Sequence, residues 1–309
     1  MKQVGLIGYP VSHSLSPQMQ QAAFDALGIE ARYFLWETRA GALAQRITSL
    51  RSPEFLGANV TIPYKEDVVP LLDECDPDAA KIGAINTIAN RDGRLVGSNT
   101  DAPGFIQALA DAAFDSHGKK AVILGTGGSA RAAAVALVES RVEELVLLGR
   151  TNRYIDGLVN HLRALDSSGK RGVKGVDDRL AGATQASPPH IHTTPAPTRI
   201  QGALLGSPDV GRFLCSVDLL VNATPVGLRA DDAMLLIDVD LLQSSAFVVD
   251  IVFNPPETPL LRAARARGCR VLNGLPMLLY QGVLAFELWT GRAAPVEQMR
   301  AALGLVEGR

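Results

Sequence analysis

Apolar residues run along this chain in short bursts that alternate with amphipathic stretches. Residues 4–8 predict a first buried strand. Met19, Ala22, Ala23, Ala26 and Leu27 then recur at helical spacing behind Ser16-Pro17, a capping serine and the proline favoured at a helix start. Residues 32–36 predict a second strand and residues 42–50 a helix. Val60 and Ile62 extend a third strand, and Pro63 opens a helix whose first turn holds Lys65. Residues 82–88 read as a strand interrupted by Asn86 and Thr87. Gly93 marks a hairpin with residues 95–97, and Pro103 opens a helix after Asn99-Thr100-Asp101.

The second half repeats the alternation. A strand at 121–124 breaks at Gly125-Thr126-Gly127-Gly128-Ser129-Ala130 and is followed by an alanine-rich helix over 131–139. Residues 144–148 form another apolar run, ending in Gly149-Arg150-Thr151-Asn152-Arg153. Strands at 217–221 and 247–253, a helix at 260–267, a strand at 268–272 and a long helix over 277–288 close the pattern. Strand and helix in alternation predict an α/β fold with largely parallel sheets. Between residues 166 and 208 the pattern dissolves into Ser, Gly, Thr and Pro. The third strand of a nucleotide-binding unit belongs hereabouts but is not legible, and an extended surface insertion is expected.

Composition narrows the classes. At 309 residues the chain has room for two domains with proper cores. A net charge of −2 gives no basic footprint for nucleic acid. The apolar runs are too short and too broken to span a membrane. The opening strand leaves no signal peptide, and Cys75, Cys215 and Cys269 are odd in number and scattered, so reduced thiols in a cytoplasm are expected. His190 and His192 have no third ligand nearby, and no metal is expected.

Strand, glycine turn, helix is the context in which a glycine pattern binds a dinucleotide, although an ordinary α/β unit also tolerates such a turn. Gly125 suits the tight turn, Gly127 lets a pyrophosphate approach the backbone, and Ala130 lets the helix pack on its strand. Free N–H groups at the helix start attract the phosphates. Arg150 and Arg153, with the Thr151 hydroxyl and no acid before Asp156, suit a 2′-phosphate and hence NADP; a solvated turn is the plainer alternative.

In the first half, Ser14 and Ser16 suit a substrate carboxylate or a helix cap. A helix N-terminus and burial both disfavour an ammonium, which is one way to ready Lys65 for proton transfer; a surface lysine is the alternative. Asn86, Asn99 and Asp101 stand at strand ends, where α/β sheets place ligands, and Asp101 could instead cap its helix. Gln281 on an apolar helix needs a partner if buried.

Taken together, the chain resembles the shikimate dehydrogenase family over nearly its whole length. The resemblance rests on Ser14-Leu-Ser-Pro17, Asn59-Val-Thr-Ile-Pro-Tyr-Lys65, Gly83-Ala-Ile-Asn-Thr87, Asn99-Thr-Asp101, Gly125-Thr-Gly-Gly-Ser129, Asn222-Ala-Thr-Pro-Val-Gly227 and Asn273-Gly-Leu-Pro-Met-Leu-Leu-Tyr-Gln281, seven motifs in order. It implies a substrate domain (1–102 with 276–309), a Rossmann NADP domain (103–275, carrying the insertion) and an active site in the cleft between them. It implies reduction of 3-dehydroshikimate by NADPH in a monomer or homodimer. Lys65 would transfer the proton, paired with Asp101. Ser14 and Ser16 would hold the carboxylate, Thr61, Lys65, Asn86, Asp101 and Gln281 would meet the ring hydroxyls, and Asn59 would belong to the substrate-binding set. Gly125, Thr126, Gly127, Gly128 and Ser129 would cradle the pyrophosphate. Arg150, Thr151 and Arg153 would take the 2′-phosphate, and Thr224, Ile251 and Gly274 would lie by the nicotinamide. Phe253 stands where the family usually has a tyrosine that helps hold the carboxylate. A quinate/shikimate paralogue is the nearest alternative, although its NAD-using members usually carry an acid where Arg150 to Arg153 stand. A non-catalytic NADP-binding regulator is a more distant one, given Lys65 and Asp101.

Overall fold

The computed structural model describes residues 1–167, 197–228 and 234–305. Two six-stranded sheets stand side by side. The first contains β1 (Lys2–Gly8), β2 (Ala31–Glu37), β3 (Phe55–Val60), β4 (Glu74–Cys75), β5 (Thr87–Arg91) and β6 (Arg94–Ser98), in the order β2-β1-β3-β5-β6-β4. Its β2-β1-β3 part is parallel, while β5 runs antiparallel to both β3 and β6. Asp92 and Gly93 both take positive φ, which gives the β5–β6 hairpin its two-residue turn.

The second sheet contains β7 (Lys120–Leu124), β8 (Glu144–Gly149), β9 (Arg199–Leu204), β10 (Leu219–Asn222), β11 (Phe247–Asp250) and β12 (Arg270–Leu272). It is parallel throughout, in the order β12-β11-β10-β7-β8-β9. Strand order reverses between β7 and β10, the switch point at which doubly wound sheets open a crevice for a dinucleotide. Strands β7, β8, β10 and β11 read as continuous apolar runs because helices cover both faces.

The helices are α1 (Ser16–Ala26), α2 (Leu43–Ser49), α3 (Pro77–Ile82), α4 (Asp101–Asp111), α5 (Gly128–Glu139), α6 (Asn152–Ser167), α7 (Val210–Leu214), α8 (Pro259–Ala266), α9 (Leu275–Thr290) and α10 (Val296–Ala302). The C-terminal α9 and α10 return to the first sheet, packing against α1. Helix α4 packs on both α9 and α5, so Ala102, Phe105, Ala108 and Leu109 belong to one apolar core that reaches both sheets.

Two sequence expectations are corrected here. The missing third Rossmann strand is β9, inside the stretch expected to be an insertion, and α6 runs on to Ser167. As a sheet edge, β9 buries only Ile200 fully, and a Cβ on Gly202 would stand 2.2 Å from Ile155 Cγ2. Polar Arg199 and Gln201 and a glycine forced by helix packing erased the apolar signal. Residues 168–196, with His190 and His192, lie outside the described residues. The expected strand over 82–88 is the end of α3 followed by a loop, and β5 begins only at Thr87. Asp76 caps α3 by accepting from Ala79 N, and Gly83 ends it in the left-handed region.

Candidate active site

The carboxyl ends of β1, β3, β10 and β11 open onto one cleft between the sheets, with a cavity of about 200 Å³. Ser14, Ser16, Asn59, Thr61, Lys65, Asn86, Asp101 and Gln281 line it from the first unit, and Ser129, Thr224, Ile251, Phe253 and Gly274 from the second. Residues dispersed over most of the sequence thus share one wall space.

At its centre Lys65 Nζ donates to Asp101 Oδ2 at 2.5 Å and to Ser129 Oγ at 3.0 Å. Both members of the ion pair are buried. Such a pair is costly to desolvate and persists only when its remaining hydrogen-bonding capacity is met. Here Asn86 Nδ2 meets it, donating to Asp101 Oδ1 at 2.8 Å. Asn86 is itself held: its Oδ1 accepts from Thr100 N and Thr87 Oγ1, and Gln281 Oε1 lies 3.4 Å from its amide.

Lys65 does not stand in a helix, contrary to the expectation from Pro63. Its carbonyl accepts from Ile85 N of the neighbouring loop, and Val69 N turns to Glu66 O instead. A single helical bond, from Val68 N to Tyr64 O, forms without propagating into a helix, and burial with Asp101 defines the lysine's surroundings. Asp101 is not the cap of α4: Asn99 Oδ1 accepts from the N–H groups of Asp101 and Ala102, leaving the Asp101 carboxylate free for the cleft. At α1 the roles of the serines divide. Ser14 Oγ accepts from Ser16 N, while Ser16 is the first helical residue and makes no cap bond.

Asn59 is occupied by protein partners: its Oδ1 accepts from Tyr33 OH, and its amide donates to Asn86 O and Thr87 Oγ1. Tyr33 escaped the sequence reading. It is an inward-facing residue of β2 whose burial pushes the phenol's pKa up, so it remains a neutral donor. His13 also lines the cleft and was not singled out.

The glycine turn behaves as its pattern predicts. Gly125 has φ +115, which only glycine adopts readily, and Ala130, in the first turn of α5, is fully buried. A Cβ on Gly127 would meet nothing within 4 Å, so the loop is open to an approaching phosphate. Gly125, Thr126, Gly127, Gly128, Arg150, Thr151 and Arg153 lie beyond the cleft lining. Arg150, Thr151 and Arg153 are exposed at the end of β8, and neither arginine pairs with a carboxylate among the described residues. These groups fit a dinucleotide phosphate chain and a free 2′-phosphate. Behind the nicotinamide candidates, Asn222 Oδ1 accepts from Thr224 N and Oγ1, and Asn222 Nδ2 donates to Asp250 Oδ1.

Among the described residues, no group of three His, Cys, Asp or Glu side chains could hold a metal ion, and no helix is long and apolar enough to cross a membrane. Cys75, Cys215 and Cys269 are unpaired.

Sequence comparison agrees with this geometry. The shikimate dehydrogenase substrate binding domain matches residues 6–88, and the shikimate 5'-dehydrogenase C-terminal domain matches residues 274–303. The shikimate dehydrogenase (NADP(+)) of Moorella thermoacetica is 43% identical over 99% of this chain and 95% of its own length. The chain belongs to the shikimate dehydrogenase family. Among solved structures of the family, shikimate 5-dehydrogenase from Thermus thermophilus in complex with NADP(H) and shikimate is 34% identical, with a TM-score of 0.79 over 98% of this chain and 99% of that one. Quinate dehydrogenase from Corynebacterium glutamicum in complex with NAD is 29% identical, with a TM-score of 0.80 over 99% of both chains.

Proposed function

We propose that this protein catalyses the reversible, NADPH-dependent reduction of 3-dehydroshikimate to shikimate. The observation that carries this reading is the buried Lys65–Asp101 pair, set in a cleft whose far wall is the end of a dinucleotide-binding sheet. The names of the relatives, shikimate dehydrogenase (NADP(+)), point the same way. Residues 1–102 with 276–309 form the substrate domain and residues 103–275 the cofactor domain, in a cytoplasmic monomer or homodimer.

NADPH, when bound, supplies a hydride to the substrate carbonyl carbon. The developing alkoxide needs a proton and a nearby cation, and Lys65 provides both. Asp101 keeps the lysine on station and is in turn fixed by Asn86. Ser14 and Ser16 receive the substrate carboxylate, and Thr61, Asn86 and Gln281 receive ring hydroxyls. Asn59, already occupied by Tyr33, Asn86 and Thr87, acts by holding Asn86 and Tyr33 in place. The backbone of Gly125 to Gly128 cradles the pyrophosphate. Arg150, Thr151 and Arg153 take the 2′-phosphate, and Thr224, Ile251 and Gly274 flank the nicotinamide.

Phe253 favours one second reading, an enzyme of the same fold with a different polyol acid such as quinate, because the cleft lacks the usual tyrosine hydroxyl. The arginine turn argues against an NAD-linked version of it. Lys65→Ala tests the primary reading. Turnover is expected to vanish while NADPH titration, followed by its fluorescence, stays close to wild type; near-normal turnover would remove Lys65 from the chemistry.

A further inference from the structure

The glycine loop reaches further than a phosphate cradle requires. Lys65 approaches across the cleft with its stem over Gly128, where an added Cβ would lie 2.8 Å from Lys65 Cβ and 3.0 Å from Cδ. Its ammonium ends on Ser129 Oγ at 3.0 Å. Gly128 and Ser129 belong to the cofactor unit, Lys65 and Asp101 to the substrate side. The contact therefore forms only when the loop is seated against the first sheet. The Ser129 hydroxyl hydrogen has no acceptor among the described residues, so its oxygen can accept from Lys65 while its hydrogen stays available to a phosphate oxygen.

We infer that Ser129 is a positioning residue for Lys65, coupling the seating of the cofactor loop to the direction in which the lysine presents its proton. The inference rests on Lys65 being the proton donor of the reaction proposed above. An ammonium has three donors. Asp101 Oδ2 fixes one and Ser129 Oγ the second, which leaves the third N–H directed at the substrate oxygen. After Lys65 has given that proton to the alkoxide, the neutral amine keeps two N–H bonds, one to each acceptor. Its lone pair then faces the new hydroxyl, as the reverse reaction requires. With Asp101 alone, the amine could turn its lone pair away from the substrate.

A pyrophosphate contact and a lysine contact by Ser129 separate in kinetics. Ser129→Ala and Ser129→Thr are compared with wild type in single-turnover reduction of 3-dehydroshikimate at saturating NADPH, and NADPH affinity is measured by fluorescence. Ser129→Ala is expected to slow single-turnover reduction about five- to tenfold, the effect of one lost hydrogen bond. NADPH affinity should fall by no more than about tenfold, the loss of one hydroxyl bond to a phosphate oxygen, which saturating NADPH removes from the rate, and Ser129→Thr, which keeps the hydroxyl, should hold the rate within about twofold of wild type. An unchanged rate in Ser129→Ala, a loss confined to NADPH affinity, or a slowing that threonine does not restore would each overturn the inference. If the wild-type protein itself fails to reduce 3-dehydroshikimate, the proposed function falls instead, before any variant is compared.

Discussion

Asn86 Nδ2 lies 2.8 Å from Asp101 Oδ1, the carboxylate oxygen that Lys65 does not use. The same amide faces Thr100 Oγ1, and the Asn86 carbonyl oxygen accepts from Thr100 N. One buried side chain therefore fixes both the carboxylate that holds Lys65 and the start of its helix. Asn86→Leu keeps the volume and removes every one of these bonds. It should cost about 1–3 kcal/mol in urea unfolding, since it leaves buried acceptors and an N–H unpaired. It should also lower kcat by about tenfold or more as Asp101 loosens. A variant with wild-type stability and kcat would show that Asp101 is held by Lys65 alone.

Arg150 and Arg153 stand exposed past the end of β8 without acidic partners among the described residues. Charge-assisted bonds from arginine to phosphate contribute about 1.5–3 kcal/mol each. Arg150→Ala with Arg153→Ala should raise KM for NADPH at least tenfold while leaving NADH kinetics nearly unchanged. Equal losses with both cofactors would mean that the turn supports the fold rather than the 2′-phosphate.

Phe253 lines the same cleft as Ser14, and Asn254 Nδ2 reaches His13 O at 3.4 Å, tying the two loops together. A hydroxyl at position 253 would enter the carboxylate end of the cleft. Phe253→Tyr should lower KM for shikimate by about tenfold, as one added hydrogen bond to a charged group would. An unchanged KM would show that this chain meets the carboxylate without help from that position.

Much of this was legible in the sequence because it depends on local pattern. The glycine turn, the arginine turn and the helices α1, α5 and α9 carry their own spacing and breakers. The errors arose where tertiary contacts override local signals. Pro63 reads as a helix start, yet the Lys65 carbonyl is taken by Ile85 N from a distant loop. Strand β9 is an edge with a glycine shaped by Ile155, so periodicity could not mark it. Tyr33 and Ser129 gain their roles from partners 26 and 64 residues away, and no window along the chain reveals them.

Asp250 gives a pH test of the second unit. It is fully buried, and burial raises its pKa from 3.8 to about 6 against the opposing bonds from Thr258 Oγ1, Val252 N and Asn222 Nδ2. The folded carboxyl thus binds its proton more tightly than the unfolded one. Its contribution to stability is complete below pH 3.8 and is lost as pH rises through about 6. The full loss is as much as ~3 kcal/mol. Asp250→Asn cannot titrate, so its Tm relative to wild type should rise between pH 4 and pH 7. A Tm difference independent of pH over that range would show that Asp250 stays ionised in the fold.

The central claim is tested most directly by steady-state kcat/KM for shikimate and quinate, each with NADP+ and NAD+. Shikimate with NADP+ should exceed every other pairing by at least about tenfold, the discrimination expected from about 1.4 kcal/mol of selective contact. Preference for quinate, preference for NAD+, or no oxidation of shikimate under any pairing would contradict the assignment.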